Sequence, residues 1–255
     1  MRSVIIEAAG VGRTFTSHAG LTEALSDMSL SIEAGEFVSI IGPSGCGKST
    51  FLRIVGDLVE PSAGTVRVNG KSTRQARLDR DYGIVFQSPV LYEWRTVIEN
   101  VRLPLELAGR PKAQWEDRSR ALLSLVGLDD FRNHYPSQLS GGMQQRVSIA
   151  RALALNPSIL LMDEPFGALD EISRDRMNRE LLEVWSKTAA TVLFVTHSIA
   201  EAVFLSSRVV VMTPRPGRIG RVVTIDLPRP RTDRIRTDPH FFELVSLVRE
   251  SLSSA

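Results

Sequence analysis

A glycine-rich stretch that ends in a lysine and a serine is the part of the sequence whose residue types most clearly predict chemistry. It fits the pattern G-x-x-x-x-G-K-[ST]. Backbone N–H groups of such a loop and of the helix after it point at the phosphates of a nucleoside triphosphate. Lys48 adds a positive charge, and the hydroxyl of Ser49 is placed to bind Mg²⁺. The predicted contacts in this stretch are Gly42, Pro43, Ser44, Gly45, Cys46, Gly47, Lys48, Ser49 and Thr50.

Two acidic residues follow an apolar run at 158–162. A buried parallel strand of this kind delivers its acids to the sheet edge where the phosphate loop also opens. Asp163 is therefore predicted to hold Mg²⁺ through water, and Glu164 to take a proton from the water that attacks the γ-phosphate. A second apolar run, at 191–195, leads to His197, which could touch the γ-phosphate from the same edge.

The sequence around these residues predicts the elements that position them. Short β runs precede and flank the phosphate loop, which suggests an antiparallel β layer beside a nucleotide-binding sheet. The pattern then turns helical to about residue 155, and β signals resume after Asn156-Pro157. The strand candidates are 4–6, 28–32, 37–41, 65–68, 82–86, 158–162, 191–195, 208–212 and 219–225, and the amphipathic helix candidates include 111–126, 172–187 and 240–252.

The bulk composition is that of a soluble globular protein, with 255 residues, 43% hydrophobic residues and a formal net charge of +2. No apolar run reaches the roughly 18 residues that a membrane-spanning helix needs. A single cysteine, Cys46, excludes an internal disulfide framework. Arginines crowd residues 215–236, where they predict either a solvated loop face or contact with anionic lipid headgroups.

Five further side chains have simpler interpretations. Phe15, which precedes the phosphate loop, is predicted either to stack on adenine or to be an ordinary core residue. Cys46 fills a variable position of the loop and need carry no chemistry. The remaining histidines, His18, His134 and His240, are interpreted as core residues without a catalytic role.

The sequence Leu139-Ser-Gly-Gly-Met-Gln-Gln-Arg146 resembles the signature of the ATP-binding cassette (ABC) family. Gln87, the acidic strand, residues 167–170 and His197 occur in the order that the family shows. The resemblance implies an α/β fold, a P-loop NTPase (RecA-like) core with an antiparallel β subdomain and an inserted α-helical subdomain. It divides a single ABC ATPase domain, 1–255, into 1–87 and 157–225 for the core with its β subdomain, 88–156 for the helical insert and 226–255 for a C-terminal extension.

The same resemblance implies roles for residues outside the phosphate loop. Ser140, Gly141 and Gly142 would bind the γ-phosphate held by a second copy, so that two ATP molecules are sandwiched in a head-to-tail homodimer. Gln87 would contact Mg²⁺ and the γ-phosphate and couple to a membrane partner, and Asp170 would make a contact across the dimer. Lys48, Glu164 and His197 form the catalytic set, with ATP and Mg²⁺ as cofactors; Ser49, Gln87 and Asp163 are the metal contacts.

Other features are similar to the ATPase subunits of bacterial importers for nitrate, sulfonates, taurine and thiamine-precursor pyrimidines; they include residues 89–97, 163–170, 191–197 and 214–218. This branch implies two separate permease subunits, an indirect solute-binding protein, and a peripheral location on the cytoplasmic face of the inner membrane. The alternative function is a soluble ABC ATPase that acts on nucleic acid, ribosomes or macromolecular assembly. No sustained heptads or strongly basic extension favours that alternative, so no nucleic-acid partner is expected.

Overall fold

The computed structural model describes residues 3–17 and 20–254, so His18 lies outside the described residues. Its strands are β1 (Val4–Ser17), β2 (Gly20–Glu33), β3 (Phe37–Ile41), β4 (Ala63–Val68), β5 (Lys71–Ser72), β6 (Tyr82–Val85), β7 (Ile159–Asp163), β8 (Thr191–Val195), β9 (Arg208–Met212) and β10 (Ile219–Thr224). Its helices are α1 (Lys48–Val55), α2 (Thr73–Leu78), α3 (Val97–Leu107), α4 (Lys112–Leu125), α5 (Gly141–Ala152), α6 (Glu171–Thr188), α7 (Ile199–Leu205) and α8 (Pro239–Ser253).

A central sheet has the strand order β10-β9-β3-β8-β7-β6. All neighbours in it are parallel except β10, which runs antiparallel to β9. The carboxyl ends of β3, β7 and β8 therefore meet at one edge, where α/β proteins bind their ligands. The phosphate loop follows β3, Asp163 ends β7 and Glu164 follows it, and His197 lies just after β8.

Alternate residues of β3 face two separate cores. Phe37 packs in the cluster that includes Phe204 of α7, whereas Val38 packs in the cluster that includes Phe51 of α1. Every residue of β3, β7 and β8 is buried, because helices cover one face of the sheet and α1 with the second sheet covers the other. This burial explains why the three strands are almost continuously apolar in sequence.

The second sheet, ordered β2-β1-β4-β5, is antiparallel, as expected. Its first two strands are 14 residues each, far longer than the predicted runs at 4–6 and 28–32. The register of their pairing shifts at several points, including between Ala8 and Val11. Each shift moves side chains to the other face of the sheet, which hides the period-2 pattern from the sequence.

Helices α3, α4 and α5 lie between β6 and β7, where the helical insert was expected. Two side chains of α5 connect this insert to the chain just after β6. Gln145 donates a hydrogen bond from Nε2 to the carbonyl oxygen of Phe86 at 3.2 Å. Arg151 donates to the carbonyl oxygens of Pro89 and Val90, each at 2.8 Å. The segment that begins at Gln87 is thereby tied to the helix that begins at Gly141.

One arginine of the basic C-terminal region is a structural core residue. Arg231 is buried, and its Nη1 donates to the carbonyl oxygens of Val203, Phe204 and Ser206 at 3.1, 2.8 and 2.8 Å. Burial lowers the pKa of this guanidinium to about 9. The prediction of a solvated or lipid-facing loop is therefore wrong for Arg231, which binds the free carbonyls at the end of α7.

Candidate nucleotide-binding and hydrolysis site

The phosphate loop connects β3 directly to α1, as its pattern requires. Gly47 is the N-cap of α1 and has φ of +104°, a conformation that side chains disfavour. A Cβ atom at this position would also lie 2.6 Å from Cδ2 of Leu25 and 2.8 Å from the carbonyl oxygen of Ala24. Both conditions require glycine. The first turn of α1 contains no acidic residue, so the positive end of the helix faces the loop uncompensated.

Lys48 crosses the loop that precedes it. Its side chain is buried, and Nζ donates to the carbonyl oxygens of Gly42 at 2.9 Å and Pro43 at 3.0 Å. A buried ammonium needs such partners. These two bonds hold the positive charge against the inner side of the loop, where an anionic phosphate would sit.

Two oxygen donors lie side by side at the foot of the loop. Oγ of Ser49 donates to Oδ1 of Asp163 at 2.6 Å, and Asp163 is buried. Mg²⁺ binds one or two protein oxygens and completes its shell with water and substrate phosphates. The hydroxyl and carboxylate therefore fit this ion. The residues that the structure describes contain no cluster of three or more His, Cys, Asp or Glu residues suited to a metal.

Glu164 and His197 face each other at the ends of β7 and β8. Oε2 of Glu164 lies 3.3 Å from Nδ1 of His197. Glu164 has φ of +47°, which is uncommon for a residue with a side chain, and its N–H donates to the carbonyl oxygen of Val195 at 2.9 Å. Strained backbone held by neighbouring structure is common at functional sites. The carboxylate of Glu164 lies in the lining of a cavity that it shares with the phosphate loop.

Gln87 lies two residues after the end of β6, near the same carboxylate. A Cβ atom built on Gly167 would lie 3.3 Å from Nε2 of Gln87 and 3.6 Å from Oε2 of Glu164. The amide and the carboxylate thus both lie beside Gly167. The structure places all four predicted residues, Gln87, Asp163, Glu164 and His197, around one edge of the sheet.

A cavity of about 320 Å³ opens above the phosphate loop. Its lining residues are Phe15, Thr22, Ala24, Ser44, Gly45, Gly47, Lys48, Ser49, Thr50, Glu164 and Arg215. Two larger cavities, of about 400 and 440 Å³, lie along α6 and contain none of the predicted site residues. The predicted chemistry, not the cavity volume, identifies the site.

Phe15 lines this cavity and is 36% exposed, so the alternative that it is a core residue is wrong. The guanidinium carbon of Arg13 lies 4.5 Å from the centroid of its ring, within the range of a cation–π contact. The ring is therefore held at the cavity wall, in a place where a flat base can stack.

The side chain of Cys46 points away from the cavity and into the core. Its side chain is 1% exposed and belongs to the core beneath the loop, and this burial raises the pKa of the thiol. Only the backbone of Cys46 can take part in binding a phosphate. Gly42 is similarly buried beside it, where an added Cβ would lie 2.8 Å from Sγ of Cys46.

The signature residues lie outside the cavity. Ser140 is the N-cap of α5, and its Oγ accepts a hydrogen bond from the N–H of Met143 at 3.3 Å. Gly141 is exposed and Gly142 partly exposed at the same helix end. Asp170 caps α6 through Ser173, and these hydrogen bonds lower the pKa of its carboxyl group. Among the described residues that line the cavity, none comes from this set.

Sequence reasoning missed three residues of the cavity wall, Thr22, Ala24 and Arg215. They come from β2 and from the turn after β9, far from the loop in sequence. Only the pairing of β2 with the 213–218 turn brings them to the site, through the parallel bridge between Leu25 and Gly217. A single sequence carries no signal for that contact.

Comparison with known proteins gives a consistent result. A family model described as ABC transporter matches residues 25–167. The nitrate import ATP-binding protein of Synechocystis is 43% identical over 96% of this chain and 95% of its own length. The taurine import ATP-binding protein of Rhizobium johnstonii is 45% identical over 97% of this chain and 93% of its own length.

A similar protein has been solved in the state that follows ATP hydrolysis. It is the dimeric, post-hydrolysis form of an ATP-binding cassette bound to ADP and phosphate, 36% identical to this chain. The TM-score is 0.77, and the alignment covers 88% of this chain and all of that one.

Proposed function

Because this chain belongs to the ABC transporter family, we propose that it is the ATP-hydrolysing subunit of a bacterial importer that works through a separate permease. One observation carries the ATPase part of this proposal. The phosphate loop, the Ser49–Asp163 pair and the Glu164–His197 pair occupy one edge of one sheet. The import part is supported by the names of relatives that match almost from end to end.

Binding of ATP is assigned to the cavity above the loop. N–H groups of the loop and of the first turn of α1 would hold the β- and γ-phosphates, together with the ammonium of Lys48. Phe15 would stack on adenine at the cavity wall. Mg²⁺, when bound by Ser49, Asp163 and Gln87, supplies positive charge that neutralises the phosphate oxygens.

Hydrolysis is assigned to Glu164. A water molecule beside the γ-phosphate would give its proton to this carboxylate while the water oxygen bonds to phosphorus. The bond from phosphorus to the bridging oxygen then breaks, and ADP and phosphate leave. His197 lies 3.3 Å from the carboxylate and would hold the γ-phosphate and Glu164 in fixed positions relative to each other.

A second copy is proposed to complete the site. The proposal is supported by Ser140, Gly141, Gly142 and Asp170, which are exposed or partly exposed and do not line the cavity of their own chain. The N-terminus of α5 is suited to an anion, since its free N–H groups and helix dipole attract phosphate. A second copy, placed head to tail, would bring this surface onto the γ-phosphate. The related cassette with ADP and phosphate is itself a dimer.

The permease is proposed to dock on the segment after Gln87. This segment exposes Val90, Tyr92 and Trp94, with 59%, 41% and 73% of their surface accessible. It is nevertheless fixed, because the buried side chain of Asn100 hydrogen bonds both to the N–H and to the carbonyl of Tyr92. A fixed apolar surface joined to the signature helix by Arg151 suits a partner that must sense closure of the dimer.

Solute choice is assigned to the permease and to an extracytoplasmic solute-binding protein, with which this subunit would make no contact. Candidate solutes are nitrate, sulfonates, taurine or a pyrimidine. Within the described residues, no helix is both long enough and apolar enough to span a membrane. We propose that the subunit is held at the cytoplasmic face of the inner membrane by its permease.

The test is purification of the tagged protein from native membranes in mild detergent, followed by ATPase assays of the complex. We expect a polytopic permease to co-purify and one solute of the panel, with its binding protein, to stimulate ATP hydrolysis. A matched Trp94→Ala variant should keep basal ATPase activity and lose the permease. Recovery of ribosomal or DNA-repair proteins without a permease would instead support the soluble alternative.

A further inference from the structure

One arginine outside the motifs described above lies at the mouth of the nucleotide cavity. Arg215 belongs to the turn 213–218 between β9 and β10, and its exposed side chain lines the cavity. Nε and Nη2 of this guanidinium lie 3.2 and 3.1 Å from the carbonyl oxygen of Gly45. The arginine thus touches the phosphate loop itself.

The turn that carries Arg215 is seated directly on the loop. The N–H of Gly217 donates to the carbonyl oxygen of Ala24, and the N–H of Ser26 donates to that of Gly217, both at 3.0 Å. A Cβ atom on Gly217 would lie only 1.9 Å from the carbonyl oxygen of Cys46. This packing of backbone against backbone fixes the position of the turn relative to the loop. It thereby places the side chain of Arg215 at the cavity.

The charges around the cavity favour an anion near this side chain. Its charged lining residues are Lys48, Glu164 and Arg215. Lys48 is buried and bonded to two loop carbonyls, and Glu164 faces His197. Arg215 forms no salt bridge with any carboxylate in the part of the chain that the structure describes. A guanidinium has five N–H donors and binds phosphate well, and here two of them share one carbonyl acceptor.

We propose that Arg215 is a nucleotide-binding residue, which holds the Gly45 carbonyl and adds a second positive charge to the phosphate groups of ATP. Engaging that carbonyl reduces the repulsion between its oxygen and an incoming anion. The remaining N–H groups supply charge-assisted hydrogen bonds. This proposal rests on the proposed function in one respect, that the cavity binds ATP.

The experiment measures the affinity for ATP by calorimetry with EDTA present, so that hydrolysis does not interfere. The variants are Arg215→Ala, Arg215→Lys and Arg215→Gln, with Arg218→Ala as the matched control. Arg218 lies in the same turn and donates to Oγ of Ser26 at 3.3 Å, away from the cavity lining. Thermal melting of each variant checks that it is folded.

At low ionic strength, we expect Arg215→Ala and Arg215→Gln to bind ATP about 10-fold more weakly, and Arg215→Lys to regain part of the affinity. Arg218→Ala should match the wild type. The loss of ATP affinity in Arg215→Ala, relative to the wild type, should become smaller as the salt concentration rises from about 0.05 to about 0.5 M, because salt screens an exposed charge. A purely structural clamp would give a deficit that does not depend on salt.

Wild-type affinity in Arg215→Ala would overturn the proposal. A loss that is equal for Lys, Gln and Ala and unchanged by salt would also overturn it, since it would show that only the clamp matters. If the wild type itself fails to bind ATP, the proposed function fails instead, and that result is read directly from the reference titration. Lys48→Ala provides the baseline for a site that cannot bind ATP.

Discussion

Nδ1 of His197 lies 3.3 Å from Oε2 of Glu164, although 33 residues separate them in sequence. The contact exists because β7 and β8 are parallel neighbours whose carboxyl ends coincide, with Asp163 opposite Val195 in the register. Glu164 also lines the cavity above the phosphate loop, which supports its proposed role as the base that activates water.

Replacing the proposed base should separate binding from hydrolysis. Glu164→Gln keeps the shape of the side chain but cannot take a proton, so we expect hydrolysis to slow by roughly 10²- to 10⁴-fold with ATP affinity preserved. The measurement is phosphate release under single-turnover conditions. Glu250→Gln, an exposed change on α8, is the control and should hydrolyse ATP normally. Fast turnover by Glu164→Gln would show that another group is the base.

The Ser49–Asp163 pair predicts a specific dependence on metal. In the wild type, Mg²⁺ should strengthen ATP binding; in Asp163→Asn, which loses the charge beside Ser49, this gain should largely disappear. For each protein, the measured quantity is the ratio of the ATP affinity with Mg²⁺ to the ATP affinity with EDTA. Asp27→Asn is the control, because Asp27 is exposed and asparagine tolerates its φ of +51°. An unchanged ratio in Asp163→Asn would exclude Asp163 as a contact for the ion.

Cys46 should react slowly with thiol reagents whether or not ATP is present. Its side chain is 1% exposed, and burial raises the pKa of the thiol, which lowers the fraction of reactive thiolate. The matched probe is Ser44→Cys in a Cys46→Ser background, since Ser44 lines the cavity. That thiol should label quickly and be protected by ATP. Rapid, ATP-sensitive labelling of native Cys46 would place its side chain in the cavity.

The burial and hydrogen bonds of Arg231 indicate that the C-terminal region is part of the stable core. Arg231→Ala would leave the carbonyls of Val203, Phe204 and Ser206 without their donor inside the protein, at a cost of about 3 kcal/mol in the free energy of unfolding. Urea unfolding measures this change. Arg234→Ala, at an exposed position nearby, should change stability little. Equal stability of the two variants would contradict the structural role of Arg231.

The sequence predicts those parts of the site whose residues form short, continuous patterns. Within the phosphate loop, and at the end of each apolar strand, the predicted residues lie a few positions apart, and the parallel pairing of the strands brings these separate patterns to one edge of the sheet. The helix candidates at 111–126, 172–187 and 240–252 agree with α4, α6 and α8 to within one residue at each end. Amphipathic spacing over several turns is a strong local signal.

Other features depend on contacts between distant segments. The full length of β1 and β2 is hidden by register shifts, and the exposure of Phe15 follows from where that hairpin ends. Cys46 faces the core only because the loop curves over Met212 and the turn at Gly217. Arg231 and Arg215 have the same side chain and lie in the same basic region, yet one is buried against α7 and the other lines the cavity. Tertiary structure alone distinguishes them.

The central claim is that two copies share each ATP, with the phosphate loop of one facing Ser140 of the other. The most direct test is the mass of Glu164→Gln in solution, measured by sedimentation equilibrium with and without ATP and Mg²⁺. We predict a monomer of 28.2 kDa without nucleotide and twice that mass with ATP. Adding Ser140→Arg should abolish the dimer while ATP binding persists. A monomer at saturating ATP, or a dimer that ignores both ATP and the Ser140 change, would contradict the account.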